Sequence, residues 1–248
     1  MRPLQSDLSI YKKFSFERPP VGVKFLYSKP EGIEQLGMDK NLSFCDFLVE
    51  AQRTGTPFYF GNENNETCVG KFLLGMQEME PFAESGQIGA ALKIFQEPRA
   101  NYIFYQYVPR FRKGIVNYVA FSPIAKLTFE PDLLIISAKD SQAEIVMRAM
   151  TYSTGELYNS RSTPVMGCAW LYIYPYRSGK VNFIVPNMIH GMDGRELYPE
   201  GTILISIPYH WIPIITQNLK EIDWNPPSHQ GREKFLAEFG RVMSKLIP

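Results

Sequence analysis

Short apolar runs alternate along the chain with polar segments rich in proline, glycine and asparagine, and this pattern predicts many short elements joined by turns. Runs of β-branched and aromatic residues are typical of strands. Eight of them span residues 21–27, 57–60, 102–108, 117–122, 132–137, 165–174, 180–185 and 202–207. The turn sequence Arg177-Ser178-Gly179 predicts a hairpin between the runs at 165–174 and 180–185.

Apolar positions at helical spacing predict the remaining elements. We expect helices at residues 6–14, 43–55, 87–95, 141–152, 209–222 and 229–246, and a short helix or turn at 68–76. Ser43 is a good N-cap for the second of these, with Asp46 near its positive end. The last helix is amphipathic, with an apolar stripe that contains Phe235, Leu236, Phe239, Val242 and Leu246.

No Gly/Ser tract, proline-rich spacer or low-complexity run divides the chain. We therefore predict a single α+β domain over residues 1–248, with a mixed or largely antiparallel sheet and flanking helices. Within it, a core at about 15–222 would precede the C-terminal amphipathic helix at about 229–246.

The composition excludes several classes of protein. The 248 residues include 26 Lys plus Arg and 25 Asp plus Glu, with 45% hydrophobic residues, so neither general disorder nor binding to nucleic acid by charge is expected. No run of about 18 apolar residues predicts a membrane span. Residues 1–14 lack the apolar core of a signal peptide, and an odd number of cysteines, three, suits a reducing compartment, so we expect a cytoplasmic protein.

Three cysteines are the main candidates for chemistry. Cys45 falls in the first turn of the predicted helix at 43–55, where unpaired backbone N–H groups favour a thiolate. Cys68 follows the polar loop at 61–67, and Cys168 lies in the predicted apolar strand at 165–174. The wide spacings match no short metal motif, so by spacing alone three structural thiols are the preferred interpretation.

The segment at 187–195 offers further ligand candidates. His190, Met192 and Arg195 lie there among glycines, where they could contact a soft metal or an anion. The same composition is typical of an ordinary turn.

Other catalytic motifs are absent. The chain has no Gly-x-Ser-x-Gly, no phosphate-binding glycine loop of the Walker or dinucleotide type and no His-Glu-x-x-His, which disfavours hydride-transfer and nucleoside-triphosphate chemistry. Its one basic cluster, Arg110-Phe111-Arg112-Lys113, is interpreted as a solvated turn or as a contact for an acidic ligand.

Several short segments resemble a known family. They are Pro19-Pro20-Val21-Gly22-Val23-Lys24-Phe25, Phe44-Cys45-Asp46 with Ala51-Gln52-Arg53, Cys68-Val69-Gly70 with Leu74-Gly75-Met76, and Pro131-Asp132-Leu133-Leu134. Together they resemble the family called domain of unknown function 169, over about residues 15–222. The resemblance implies cysteines kept at positions like 45, 68 and 168 and an origin in anaerobic microorganisms, and it implies no established activity.

The same family is associated with a Gly-Cys-x-Gly-x-Arg segment. Its nearest match here is Gly191-Met192-Asp193-Gly194-Arg195, in which Met192 takes the place of the cysteine. The resemblance favours the hypothesis that the three thiols bind an iron–sulfur cluster or another soft metal whose fourth coordination position is open.

Our leading hypothesis is a cytosolic accessory or binding protein of anaerobic metabolism that holds a soft metal, iron–sulfur cluster or small cofactor. The metal ligands would be Cys45, Cys68 and Cys168, with His190 or Met192 as the fourth, while Gly70 would allow close backbone approach and Arg195 would contact a cofactor. One alternative is a metal-free thiol enzyme that uses Cys45 as nucleophile or redox group. Another is a structural subunit that binds a protein partner or a second copy of itself, through the final helix or aromatic strands.

Overall fold

Six antiparallel strands form one sheet at the centre of the protein. The computed structural model describes residues 1–247. The strands are β1 (Val21–Leu26), β2 (Phe58–Gly61), β3 (Tyr118–Pro123), β4 (Leu133–Ala138), β5 (Asn182–Ile184) and β6 (Ile203–Pro208). They lie in the order β2-β3-β1-β4-β6-β5, and every neighbouring pair is antiparallel. The predicted α+β class is confirmed, with an antiparallel rather than a mixed sheet.

Successive side chains of the strands enter two separate cores. On β4, Leu133 and Ile135 face one core while Leu134 and Ile136 face the other, and all four are fully buried. A strand buried on both faces has a continuous apolar run instead of an alternating one. Helices therefore cover both faces of the sheet.

Ten α-helices accompany the strands in the described chain. They are α1 (Asp46–Thr54), α2 (Gly70–Leu73), α3 (Pro81–Glu84), α4 (Gln87–Ala91), α5 (Pro98–Tyr107), α6 (Asp140–Tyr152), α7 (Tyr174–Ser178), α8 (His190–Asp193), α9 (Trp211–Glu221) and α10 (Arg232–Leu246). A π-helical turn spans Ala169–Ile173, and 3-10 turns span Ser9–Phe14, Ile124–Lys126, Pro186–Met188 and Pro227–His229. None of the helices in residues 1–247 combines the length and the apolar character that a bilayer span requires.

The two faces of the sheet differ in what covers them. Helices α6 and α9 pack side by side on one face, where the Asn218 Nδ2 group donates to the Ala149 carbonyl at 2.7 Å. Helix α1, α2 and the π-helical turn cover the other face, around an aromatic cluster that includes Phe44 and Tyr172, whose ring centroids lie 4.5 Å apart. All three cysteines belong to this second face or its rim.

The predicted strand at 165–174 and its hairpin are wrong. Cys168 directly precedes the π-helical turn, which continues into α7, and β5 pairs with β6 instead. A fully apolar run fits a buried helix as well as a buried strand. Met166, in the left-handed conformation with φ 57°, turns the chain into the helical segment.

The predicted strand at 102–108 is also wrong, because residues 102–107 belong to α5. Pro98 occupies the first position of that helix, which fixes φ at a helical value. Aromatic residues in the run favour strands only by propensity, and packing against α4 overrides this preference.

The C-terminal amphipathic helix is confirmed as α10. It has no buried residue, and Phe235, Leu236 and Phe239 are all exposed. A partner for this face stays a prediction.

Candidate functional site

The three cysteines come from three distant segments and lie in one neighbourhood. Cys45 occupies the N-cap position of α1 and Cys168 precedes the π-helical turn, and both are buried. Cys68 lies two residues before α2 and is exposed to solvent. Since α1 begins at Asp46, Cys45 stands just before the helix and not inside its first turn as predicted.

Cys45 and Cys168 form a buried pair of thiols. The neighbouring Cys45 thiol, together with burial, raises the pKa of the Cys168 thiol well above its ordinary value. The negative charges of Cys45, Cys68 and Glu66 would raise this pKa further, so these three groups lie within electrostatic reach of Cys168. Cys168 is therefore a neutral thiol at physiological pH.

Glu66 joins the segments that carry Cys45 and Cys68. Its carboxylate accepts backbone N–H groups from Phe44 at 3.0 Å, Cys68 at 3.1 Å and Gly70 at 2.9 Å. Burial nevertheless outweighs these bonds and raises the pKa of the carboxyl. This role could not be predicted from the sequence, since Glu66 lies in a polar loop with another acid and three asparagines.

Gly70 allows the two segments to pack closely. A Cβ atom at this position would lie 2.4 Å from the Phe44 Cβ and 3.2 Å from the Glu66 Cδ. The space beside Gly70 is therefore taken by the chain's own Phe44, and the approach of a cofactor to Gly70 stays a prediction.

A pocket of about 280 Å³ opens beside Cys68. Polar groups on its wall are the Cys68 thiol, Asn101, Tyr105, His190 and Arg195. The apolar part of the wall, from α4, the turn after it and two further loops, includes Val69, Ile88, Leu92, Ile94, Val165 and Met166. We call this cavity the thiol pocket.

Electrostatics in the thiol pocket act on Cys68 in opposite directions. Although Cys68 reaches solvent, partial desolvation by the surrounding protein atoms raises the pKa of its thiol, and the nearby Cys45 and Glu66 groups raise it further. The positive charge of Arg195 lowers it, which offsets only part of the rise. The Arg195 guanidinium is held by its own backbone, because Nη1 donates to the Gly191 carbonyl at 2.7 Å.

Two residues on α5 complete the thiol pocket and were missed by the sequence analysis. Asn101 is almost completely buried. Its Nδ2 group donates to the Gly86 carbonyl at 3.1 Å, whereas its Oδ1 atom has no hydrogen-bond partner in the described chain. Burial raises the pKa of Tyr105, and the charge of Cys68 contributes to the rise, so the phenol lies near the thiol. Tyr105 was missed because residues 102–108 were predicted as a strand, and Asn101 because it lies in the polar segment just before that run.

The structure separates the two candidates for a fourth metal ligand. His190 lines the thiol pocket, and its backbone N–H donates to the Pro164 carbonyl at 2.8 Å. Met192 is buried in the core instead, with its Cε 2.9 Å from the point where a Cβ of Gly167 would stand. Of the two, only His190 faces the same cavity as Cys68.

The thiols do not form a ready-made metal site. Among residues 1–247, no three His, Cys, Asp or Glu side chains are grouped closely enough to hold one metal ion.

Two buried phenols, Tyr172 and Tyr198, lie within electrostatic reach of Cys45, and neither hydroxyl has a hydrogen-bond partner in the described chain.

Comparison with known proteins identifies a family without a known activity. The model of the family DUF169, described as "Uncharacterised ArCR", matches residues 9–218, which include all three cysteines and the whole thiol pocket. Neither the search of curated proteins nor the search of solved structures found a match. Because the family model covers most of the chain, the protein belongs to the DUF169 family.

Proposed function

We propose that this protein is a binding protein for a small anionic cofactor or substrate, which it holds in the thiol pocket. The observation that carries the proposal is the meeting of Cys68, His190 and Arg195, from two distant parts of the chain, at one cavity with apolar walls. A concave site with apolar walls and a few convergent polar groups is the usual form of a small-molecule site.

Each polar group has a distinct role in this proposal. Arg195 supplies the positive charge, and the ion pairs of the described residues do not include it. The Oδ1 atom of Asn101 is a buried acceptor that favours a ligand with a hydrogen-bond donor. Cys68 provides a soft, polarisable contact.

Binding fits the thiols better than nucleophilic catalysis does. An attacking cysteine needs an accessible thiolate, whereas Cys45 is buried and the pKa of the accessible Cys68 is raised. The proposal therefore assigns contact with the ligand to Cys68 and leaves Cys45 with Cys168 as a reduced pair behind the pocket. It assumes the cytoplasm of an anaerobe, where such thiols stay reduced, and an accessory role in its metabolism.

The pairing of a thiol with a cation is tested by two alkylating reagents of similar size. Iodoacetate carries a negative charge and iodoacetamide does not, so the ratio of their rates at Cys68, divided by the ratio for free cysteine, reports the local positive charge. We expect this normalised ratio to exceed one in the wild type and to fall severalfold in Arg195→Gln. Arg232→Gln, on α10 and outside the pocket, is the matched control.

A ratio near one in the wild type, or one that Arg195→Gln leaves unchanged, would overturn the proposed anion site. Because both reagents attack the same thiol, a change in its pKa cancels in the ratio. The result therefore reports charge and not thiol reactivity.

A soft metal held by the thiols is a second candidate, favoured by the mutual proximity of Cys45, Cys68 and Cys168. Among residues 1–247 these side chains do not present three ligands to one ion, so metal binding requires them to come closer together. Metal analysis and a visible spectrum of protein purified without oxygen test this candidate. Stoichiometric metal that is lost in Cys168→Ser would support it, and metal-free wild-type protein would exclude it.

A further inference from the structure

A second and larger cavity lies outside the thiol pocket and shares no residue with it. Its volume is about 750 Å³. Four cationic side chains line it: Arg110, Arg112, Lys113 and Arg177. We call this cavity the basic cleft.

The backbone that carries three of these cations is fixed against the end of α2. The Phe111 N–H donates to the Leu73 carbonyl at 2.8 Å, and the Gly114 N–H donates to the Gly75 carbonyl at 3.2 Å. Gly75 adopts φ +71°, and a Cβ atom there would lie 2.5 Å from the Arg112 carbonyl oxygen. Only glycine fits this contact, so the backbone of the segment 110–113 is held in place, while the side chains of Arg110, Arg112 and Lys113 are exposed to solvent.

Carboxylates in the cleft balance only part of its charge. Arg110 pairs with Glu84 at 3.2 Å, and Lys113 pairs with Glu78 at 3.0 Å. Within residues 1–247, neither Arg112 nor Arg177 has a carboxylate within ion-pair distance. The basic cleft therefore carries two positive charges that the described side chains do not neutralise.

Two of the guanidinium groups, those of Arg110 and Arg177, are also held by contacts with neighbouring residues. Arg177 donates from Nη1 to the Arg110 carbonyl at 3.0 Å, which ties α7 to the basic segment. The Arg110 guanidinium lies over the Phe72 ring, 4.9 Å from its centroid. Stacked and anchored arginines present flat forks of donors, a geometry that suits phosphate oxygens.

We propose that the basic cleft binds a small molecule that carries phosphate groups, at a site separate from the thiol pocket. The charge surplus matches a dianionic or more highly charged group, and the apolar side chains of Met79, Phe111 and Ile115 on the same wall match an organic remainder. This inference does not depend on the ligand of the thiol pocket, because the two cavities use different residues.

Inorganic diphosphate is the probe, titrated into the full chain by calorimetry at constant ionic strength. We expect saturable binding to the wild type and binding at least about tenfold weaker in the double variant Arg112→Gln/Arg177→Gln, since each removes a charged hydrogen-bond donor. The double variant Arg232→Gln/Lys234→Gln removes the same charge from exposed positions on α10 and should bind like the wild type.

Glu84→Gln provides a second test, because its expected effect is tighter binding and a misfolded protein would not bind more tightly. It releases Arg110 from its ion pair and removes a negative charge from the cleft, so diphosphate should bind severalfold more tightly than to the wild type. Absence of binding to the wild type, equal weakening in both double variants, or weaker binding in Glu84→Gln would each overturn the proposal.

Discussion

The carboxylate of Glu66 accepts the backbone N–H of Phe44 at 3.0 Å, and this bond connects the loop before Cys68 to the residue before Cys45. The same carboxylate accepts the N–H of Gly70 at 2.9 Å, and Gly70 in turn packs against the Phe44 side chain. The relative position of the exposed thiol and the buried thiols thus depends on a contact among three residues that are not cysteines.

Gly70→Ala tests the closeness of that contact. The new methyl group would fall 2.4 Å from the Phe44 Cβ, in a buried region where neither backbone can move freely. We expect the free energy of unfolding to fall by about 1–3 kcal/mol in urea denaturation. Gly240→Ala is the matched control, because nothing lies near its Cβ position in α10, and it should be neutral or stabilising by about 0.5–1 kcal/mol.

Equal effects of the two alanines would contradict the packing described for Gly70. They would mean that Phe44 can withdraw without cost.

Glu66 should also make stability depend on pH in an unusual direction. Burial raises the pKa of its carboxyl, so the folded protein binds this proton more tightly than the unfolded chain does. The group therefore adds stability as the pH falls from above its folded-state pKa toward the ordinary glutamate value of about 4.3. The difference in the free energy of unfolding between the wild type and Glu66→Gln should therefore increase as the pH falls through that interval. Urea denaturation at a series of pH values measures this difference.

Glu50 provides the opposite case for comparison. Burial raises the pKa of its carboxyl, but hydrogen bonds from Lys40 and Arg53 outweigh burial and the net shift is downward. Its contribution to stability is present above the ordinary glutamate pKa and is lost as the pH falls through the lower folded-state value. The difference in the free energy of unfolding between the wild type and Glu50→Gln should therefore decrease as the pH falls. If this difference changed with pH in the same direction for Glu50→Gln and Glu66→Gln, the opposite pKa shifts of the two carboxyls would be contradicted.

The three thiols should react in two distinct classes. Only Cys68 is exposed, so a disulfide reagent such as 5,5′-dithiobis(2-nitrobenzoate) should label one thiol in the folded protein and all three after unfolding.

Because the pKa of Cys68 is raised, the rate at which this thiol reacts with the reagent should keep increasing as the pH rises above the ordinary thiol pKa of about 8.5. Cys68→Ser should remove the rapid phase, and Cys45→Ser should retain it. Two thiols that react at one rate would contradict the burial of the Cys45–Cys168 pair.

The hydroxyl of Tyr172 should contribute nothing to stability. It is fully buried without a hydrogen-bond partner in the described chain, so Tyr172→Phe removes a desolvated polar group. The variant should leave the free energy of unfolding unchanged or raise it by up to about 1 kcal/mol. Tyr209→Phe is the control, since its hydroxyl bonds to Glu130 and the variant should lose about 1 kcal/mol or more. A clear loss in Tyr172→Phe would show that the buried hydroxyl is satisfied.

The sequence predicts β4 and α6 closely because local signals agree there. A continuous apolar run gives the strand, and the polar residues after it open a helix whose predicted and observed ends coincide at Tyr152. The segment around Cys168 could not be predicted in the same way, since an apolar run of that length fits a strand or a buried helix, and only packing against the sheet decides between them.

The site was predictable only in part. Cys45, Cys68 and Cys168 were identified by residue type, but their meeting depends on long-range packing that spacing does not encode. Asn101 and Glu66 escaped notice because an asparagine and a glutamate in polar or misassigned segments carry no pattern of their own.

The most direct test of the thiol pocket compares the mass of the folded and the denatured protein after purification without oxygen. We expect native mass spectrometry of the wild type to show an added small molecule that is absent from the double variant Cys68→Ala/Arg195→Gln and present in the control Arg232→Gln. A folded wild type whose mass equals that of the bare chain would contradict the proposal that this pocket holds a small cofactor or substrate.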